Sequence, residues 1–189
     1  MHRWVFLCNT FRNFDLHQSF FCCVKAAALN RSNPLQSLIR DIKPENIFLT
    51  RSGRMRLGDF GLAMDWCKEI PFSRSGTLDY MAPEVLVNPA TQLQESPSVD
   101  IATLEAKGIK PFTCAVDIWA AGVLAYELVG GRPPFEVEDE VKTVTRIIYC
   151  NSITFPEGFS PMLMDFVRHA LIKDPNMRPD ARTLLSHPW

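Results

Sequence analysis

Residues 40–46 read Arg-Asp-Ile-Lys-Pro-Glu-Asn, and this stretch decides how the rest of the chain is interpreted. It brings a carboxylate (Asp41), an ammonium group (Lys43) and an amide (Asn46) into one short loop. Further along, Asp59-Phe60-Gly61 places a second carboxylate at a turn. Asn46 and Asp59 offer the oxygen ligands that a hard cation such as Mg²⁺ prefers. The two segments together predict a polar site with a metal ion between them.

Two short strand-like runs lie between these segments and predict a small β-hairpin. The runs are Ile47-Phe48-Leu49 and Met55-Arg56-Leu57, and Arg51-Ser52-Gly53 between them is a turn signal. A hairpin here would bring Asn46 and Asp59 to neighbouring strand ends. The expected secondary structure therefore supports the expected metal site.

Five motifs in register give the chain its resemblance to the large, C-terminal lobe of a protein kinase. A lone Asp-Phe-Gly occurs by chance in many proteins, whereas an ordered set of this kind does not. Lys43-Pro44-Glu45 resembles the serine/threonine branch, and residues 76–80 look most like Aurora kinases and their neighbours. The five motifs are Asp41 to Asn46, Asp59-Phe60-Gly61, Ala82-Pro83-Glu84, Asp117-x-Trp119 and Arg178.

The resemblance implies a role for each polar residue of the site. Asp41 would be the catalytic base and Lys43 would contact the γ-phosphate of ATP. Asn46 and Asp59 would hold Mg²⁺, and with Lys43 they would form the ATP-binding set. The implied reaction is ATP-dependent phosphoryl transfer to serine or threonine of a protein substrate.

The resemblance also identifies residues 62–80 as an activation segment. Its polar loop contains Ser73 and Ser75, at which we expect regulatory phosphorylation. A phosphate adds about −1.5 to −2 charge and orders a loop when an arginine is within reach. Arg40 is the expected partner. Thr77 is expected to contact the aspartate and lysine of the 40–46 loop instead.

Two further features predict how the lobe is held together. The stretch from Asp117 to Leu128 is apolar nearly all round, which is typical of a buried helix. A buried carboxylate at Asp117 needs hydrogen-bond partners, and in the family this residue bonds the catalytic-loop backbone from beneath. The resemblance also implies a buried ion pair between Glu84 and Arg178. We therefore expect a mostly α-helical lobe with one small hairpin.

Helix boundaries are also readable in the second half of the chain. Gly130-Gly131 before two prolines predicts a helix end. Ser160-Pro161 predicts a helix start with a capping serine, and Asp174-Pro175 predicts its end. The apolar face of this helix is expected to consist of Leu163, Phe166, Val167, Ala170 and Leu171. Residues 178–180 are expected to open the last helix.

The resemblance covers residues 39–189 and leaves residues 1–38 unassigned. Ile39 stands where the family has a histidine, so it lacks the polar contact of that histidine to the Asp59-Phe60-Gly61 turn. We interpret residues 1–38 as an alternative or mis-joined coding segment, with a divergent helix as the other reading. The polar stretch 88–113 is interpreted as an insertion, in which residues 103–107 add a short helix.

The sequence before Ile39 offers neither a glycine-rich phosphate loop nor a strand lysine of the Val-Ala-Ile-Lys type. These parts belong to the small N-terminal lobe and help to bind ATP, so we expect a truncated catalytic domain with little or no activity alone. Such a lobe should also leave apolar surface uncovered. The competing hypothesis is a non-catalytic interaction module that presents the face Val137–Cys150 to a protein partner.

Composition narrows the remaining classes of function. The formal net charge of −1 favours neither nucleic acid nor an anionic membrane as a partner. Runs of uncharged apolar residues stay below the ~18 that a membrane span needs. The six cysteines form no Cys-x-x-Cys pair and are read as reduced thiols. We therefore expect a cytoplasmic or nuclear protein that binds neither nucleic acid nor membrane.

Overall fold

The computed structural model describes residues 37–51, 55–65, 70–71, 74–89, 104 and 106–189. Its strands are β1 (Ser37–Leu38), β2 (Ile47–Leu49), β3 (Met55–Leu57) and β4 (Met64–Asp65). Its α-helices are α1 (Pro83–Leu86), α2 (Ala115–Gly130), α3 (Glu140–Tyr149), α4 (Pro161–Ala170) and α5 (Ala181–Leu185). Pro44–Asn46 and Leu78–Tyr80 form 3-10 turns. The expected mostly helical fold is confirmed, while residues 1–36 and most of the insertion lie outside the described part of the chain.

The predicted hairpin is present, and a second strand pair accompanies it. Strands β2 and β3 are antiparallel, with Ile47 opposite Leu57, and the Gly58 N–H donates to the Asn46 carbonyl over 2.8 Å. The sequence did not predict the pairing of β1 with β4, in which Leu38 lies opposite Met64. Because β1 leads into the 40–46 loop and β4 follows Gly61, this pairing ties the two motif segments together a second time.

Helix α2 forms the centre of the hydrophobic core. Thirteen of its sixteen residues are buried, which confirms the prediction made from its all-round apolar surface. Trp119 is fully buried and stacks on Phe135 with ring centroids 5.6 Å apart. The helix ends as predicted, because Gly131 adopts a left-handed conformation with φ of 79°. None of the helices in the described ranges has the length and apolar character required to cross a membrane.

Helix α4 packs against α2 through the face that the sequence predicts. All five residues assigned to that face are at most 4% exposed. The Ser160 hydroxyl accepts a hydrogen bond from the Leu163 N–H over 3.2 Å and caps the helix start as expected. Likewise, α5 begins after Asp180, whose carboxylate accepts from the Thr183 N–H over 2.8 Å.

The predicted end of α4 at Asp174-Pro175 is wrong, because the helix stops at Ala170. The carbonyls of Ile172 and Lys173 accept hydrogen bonds from the Arg178 guanidinium, over 2.9 and 3.3 Å. The segment after the helix is thus held by a side chain five to six positions further along the chain.

Close packing of α2 on α4 depends on a glycine. A Cβ atom added at Gly122 would lie 2.6 Å from the Ala170 Cβ and 2.9 Å from the Leu171 Cδ2. Overpacking of this kind costs about 1–3 kcal/mol. We therefore expect Gly122→Ala to lower the free energy of unfolding by an amount in that range, measured by urea denaturation of the full chain.

The matched control is the exchange of the two small residues. Ala170→Gly in the Gly122→Ala background removes the closest contact, so the double variant should be more stable than the sum of the two single effects predicts. Strict additivity of the two changes would contradict the steric explanation.

Candidate active site

The buried carboxylate of Asp117 fixes the start of the 40–46 loop. It accepts hydrogen bonds from the backbone N–H groups of Ile39 and Arg40, both over 2.9 Å. Arg40 has φ of 67°, in the left-handed region that side chains other than glycine rarely adopt. Burial raises the pKa of Asp117 to about 6, although both N–H donors oppose the shift. The expected contact between Asp117 and the loop backbone is thus confirmed.

Ile39 joins the hydrophobic core. Its side chain is 7% exposed and belongs to the cluster around α2. The Ile39 backbone N–H reaches Asp117, so the anchor of the loop does not depend on the side chain at this position. The structure therefore gives the unexpected isoleucine a packing role.

Asp41, Lys43 and Thr77 form one hydrogen-bonded group. The Lys43 Nζ lies 2.8 Å from the Asp41 Oδ2 and donates to the Thr77 Oγ1 over 3.0 Å. The Thr77 hydroxyl in turn donates to the Asp41 Oδ1 over 3.3 Å. The contacts expected of Thr77 are present. They bring a carboxylate, an ammonium group and a hydroxyl from two separate loops to one point.

Asn46 and Asp59 border the same cavity as Lys43 and Thr77. The Asn46 Nδ2 donates to the carbonyl and to the Oδ2 of Asp41, over 2.9 and 3.0 Å, so its amide oxygen is the atom that remains for a cation. Asp59 has φ of 54°, its Oδ1 accepts from the Gly61 N–H over 3.2 Å, and the residue is exposed. Two oxygen donors at one cavity fit the ligand preference of Mg²⁺.

The cavity is open and has a volume of about 760 Å³. Its walls combine Lys43, Asn46, Asp59 and Thr77 with four additional acidic side chains that the sequence did not single out. These four are Glu45, Asp79, Glu127 and Glu136. The turn after α2 contributes Gly131, Arg132 and Pro133.

Glu127 is the most unusual of these acids. It is 4% exposed, and its Oε2 accepts a hydrogen bond from the Tyr80 hydroxyl. Burial raises the pKa of Glu127 to about 7, aided by the charges of Glu45, Glu136 and Asp79 and opposed by the hydrogen bond from Tyr80. The sequence did not reveal Glu127 as a site residue, because no local pattern shows which acid on a buried helix faces a cavity.

Gly76 lets the segment before Thr77 approach the 40–46 loop. Its φ is +106°, and a Cβ there would lie 2.7 Å from the Arg40 carbonyl oxygen. Any larger residue would push the two loops apart and displace Thr77. The glycine is therefore required for the contacts of Thr77 with Asp41 and Lys43.

Glu84 and Arg178 form the expected ion pair. The Arg178 Nη1 and Nη2 atoms lie 2.8 and 3.0 Å from the two carboxylate oxygens of Glu84, and the Arg178 side chain is fully buried. Nη1 also donates to the Ala115 carbonyl over 2.6 Å. Removing one partner of a buried pair costs about 3–5 kcal/mol. This pair joins α1, directly after the site, to the start of α2.

The expected regulatory residues are described only in part. Ser73 lies outside the described residues. Ser75 is partly buried and borders one small cavity together with Arg40, Thr77 and Asp117. Ser75 and its expected partner Arg40 therefore line the same space.

The raised pKa of Glu127 leads to a pH-dependent stability. Because the folded state favours the protonated acid, its stabilising contribution is present below the unfolded pKa of about 4.5 and is lost as pH rises through about 7. Glu127→Gln imitates the protonated form. We expect its free energy of unfolding to exceed that of the parent by an amount that grows between pH 5 and pH 8 to about 3 kcal/mol at most.

Urea denaturation of both proteins at several pH values measures this difference. The exposed Glu157 supplies a control, since Glu157→Gln should follow the parent at every pH. Asp117 titrates in all three proteins and cancels from the comparison. A difference in the free energy of unfolding between Glu127→Gln and the parent that stays constant with pH would contradict the explanation.

Comparison with known proteins places this site in a family. A model of the protein kinase domain matches residues 35–189. The cAMP-dependent protein kinase catalytic subunit of Schizosaccharomyces pombe is 29% identical over 175 residues, which cover 90% of this chain and 30% of the relative. The Aurora kinase of Dictyostelium discoideum is 30% identical over 168 residues, covering 87% of this chain and 37% of the relative.

Aurora/IPL1-related protein kinase 2 of Caenorhabditis elegans is 33% identical over 168 residues, covering 87% of this chain and 47% of the relative. The chain thus spans less than half the length of these three curated relatives. Because the family match extends over most of the sequence and the relatives include Aurora kinases, the chain belongs to the protein kinase family, in its serine/threonine branch.

Proposed function

We propose that the chain carries the catalytic and protein-substrate side of a serine/threonine kinase site, which transfers the γ-phosphoryl group of ATP to a protein hydroxyl. The observation that carries this proposal is the group formed by Asp41, Lys43 and Thr77, with separations of 2.8–3.3 Å. Lys43 and Thr77 of this group line the cavity that Asn46 and Asp59 also line, and Asp41 contacts both of them. The carboxylate of a general base and the ammonium group of Lys43 thus lie beside two candidate metal ligands.

Asp41 is the proposed acceptor of the proton. Its Oδ2 is engaged by Lys43 at 2.8 Å and by Asn46 at 3.0 Å, whereas its Oδ1 receives the longer 3.3 Å contact from Thr77. Oδ1 is therefore the better placed oxygen to take the proton of a substrate hydroxyl. As that hydroxyl oxygen bonds to the γ-phosphorus, the bond from phosphorus to the bridging oxygen of ADP breaks.

Lys43, Asn46 and Asp59 are the proposed ligands of ATP and its metal ion. The Lys43 ammonium group can move from Thr77 to a phosphate oxygen, since its side chain is 22% exposed. Asn46 and Asp59 supply the oxygens for Mg²⁺. When bound, Mg²⁺ offsets the negative charge that the phosphates carry in the transition state.

The acidic wall favours a substrate with a basic side chain near the target hydroxyl. Glu45, Asp79, Glu127 and Glu136 all face the cavity. Burial raises the pKa of Asp79 and, with the neighbouring acids, that of Glu127. The four acids repel one another, and a lysine or arginine of the substrate would relieve this repulsion. We therefore propose that basic peptides bind better than acidic ones.

The rate of phosphoryl transfer depends on how firmly ATP is held as well as on Asp41, Lys43 and the metal ligands. Positioning contributes most of the rate acceleration in phosphoryl transfer, and residues 1–36 contain no glycine from which a glycine-rich loop could be built. Beside the site, Phe48 and Phe60 are 52% and 57% exposed. This is apolar surface of the kind that a truncated lobe is expected to leave uncovered. We therefore propose that the 189 residues alone transfer phosphate only slowly.

The alternative function is that of an interaction module. Helix α3 exposes two large apolar side chains, Val141 at 74% and Tyr149 at 73%, which lie within the face 137–150. A chain that used this face would bind a protein partner without turnover. The kinase proposal and this alternative differ in whether ATP is bound and its γ-phosphoryl group transferred to a protein.

A phosphorylation assay with the purified chain tests the proposal. With Mg²⁺ and ATP, we expect slow labelling of a serine peptide flanked by arginines and less labelling of an acidic counterpart. Asp41→Asn should lower this rate by about 10²–10⁴-fold, the usual contribution of a general base. Asp139→Asn is the control, because Asp139 caps α3 on the surface and should leave the rate unchanged.

The outcomes separate the two functions. Labelling that survives Asp41→Asn would contradict the assigned role of Asp41. Absence of both ATP binding and labelling, together with capture of a partner that Tyr149→Ala abolishes, would establish the interaction module instead.

We also propose that phosphate on Ser75 or Ser73 regulates the site through Arg40. The supporting observation is that Ser75 and Arg40 line one cavity. Mass spectrometry of the protein purified from its own cells should find one of these serines modified. Ser160, whose hydroxyl caps α4, should remain unmodified and serves as the control. Finding neither Ser73 nor Ser75 phosphorylated would remove the basis of this proposal.

A further inference from the structure

A cluster of two histidines and one carboxylate lies away from the candidate active site. Asp165 and His169 are one turn apart on α4, and His187 follows α5. The Asp165 Oδ2 is 3.0 Å from the His187 Nε2 and 3.5 Å from the His169 Nδ1. One donor atom from each residue lies within 4.8 Å of the other two. None of the three residues lines the active-site cavity.

We propose that Asp165, His169 and His187 form a binding site for a divalent transition-metal ion, with Zn²⁺ as the best-fitting ion. Imidazole nitrogen is a preferred ligand of zinc, copper and nickel, whereas magnesium and calcium prefer oxygen alone. Three protein ligands also suffice for zinc when water takes the fourth position. The site goes beyond the kinase function, because it requires neither ATP nor a substrate.

The separations suit a tetrahedral ion. With metal–ligand bonds of about 2.0–2.1 Å, tetrahedral donors lie about 3.3 Å apart. The two separations from Asp165, 3.0 and 3.5 Å, bracket that value. The His169 Nδ1 also donates to the Asp165 backbone carbonyl over 2.9 Å, so the His169 ring has to turn before it offers an unprotonated nitrogen to the metal. The side chains of His169 and Asp165 are 51% and 54% exposed, so they can rotate to close the third edge. The same exposure admits the water ligand.

His187 is the anchored member of the cluster. Its side chain is 11% exposed, and its ring meets the edge of the Phe166 ring at 5.5 Å. The Trp189 N–H donates to its Nδ1 over 3.1 Å. This contact directs Nε2 towards Asp165, the orientation that a metal ligand needs. Metal-ligating histidines usually donate from their other ring nitrogen, so the contact with Trp189 has to be exchanged when a metal binds.

Metal binding would change the proton on this ring. While Nδ1 accepts from Trp189, Nε2 carries the proton that it donates to Asp165. Coordination by Nε2 requires the neutral ring to move that proton to Nδ1, so the Trp189 N–H loses its acceptor. The backbone amide of Trp189 therefore gives a direct signal of metal binding, independent of any kinase activity.

A zinc titration of the full chain, in competition with a chromophoric chelator, tests the proposal. We expect one Zn²⁺ per chain at this site, with a shift of the Trp189 amide resonance on binding. His169→Gln should weaken zinc binding by at least about tenfold, a loss already seen when only a supporting group of a metal site is removed. The double variant His2→Gln with His17→Gln keeps all three ligands and should bind zinc like the parent.

Two further measurements keep the test decisive. If His187→Gln fails to fold, the exposed His169 still decides the question. Cobalt substitution should give a spectrum without thiolate charge-transfer bands, which separates this site from binding by the six cysteines. The proposal is overturned if the parent binds no zinc, if His169→Gln binds it as tightly as the parent, or if the cobalt spectrum shows thiolate ligands.

Discussion

The hydrogen bonds from Ile39 and Arg40 to the Asp117 carboxylate are the constraint on which the site depends. A left-handed conformation costs a residue such as Arg40 about 1–2 kcal/mol. Each hydrogen bond to a charged group contributes about 1.5–3 kcal/mol, so two of them outweigh this strain. Burial of the carboxylate opposes its charged form and raises the pKa of Asp117 to about 6, while the two N–H donors lower it. The core helix thus sets the direction in which the chain enters the 40–46 loop.

The segment around Thr77 is positioned by its contacts with the 40–46 loop. Gly76 packs against the Arg40 carbonyl, and Thr77 bonds Asp41 and Lys43. Three residues further on, Tyr80 bonds Glu127 on α2. Contacts with a loop on one side and with the core helix on the other hold this segment in place. A disturbance of either partner is therefore transmitted to the hydroxyl of Thr77 beside Asp41.

Local patterns in the sequence were sufficient for much of this structure. The hairpin, the buried helix α2 and the capped starts of α4 and α5 follow from periodicity, turn residues and caps. The contacts of Thr77 and Arg178 followed from the family motifs. These features depend on neighbours in the chain or on fixed motif spacing, which is why they could be predicted from the sequence.

The features that were missed depend on contacts between distant residues. The pairing of Leu38 with Met64 joins two short strands that have no alternating pattern of their own. The early end of α4 accompanies hydrogen bonds from the Arg178 guanidinium to the segment after the helix, and the same guanidinium is held by Glu84, 94 positions away. Glu127 faces a cavity only because of how α2 is oriented. Single-sequence patterns carry no information of this kind.

The Glu84–Arg178 pair also has a consequence for the order of folding. Its partners are 94 positions apart in the chain, and the guanidinium also bonds Ala115 at the start of α2. Closing so long a loop costs entropy that only completed long-range contacts recover. The docking of α1 must therefore await the packing of α2 with the segment that carries Arg178. A chain emerging from the ribosome exposes Glu84 long before its partner is made, so the docking of α1 is completed late.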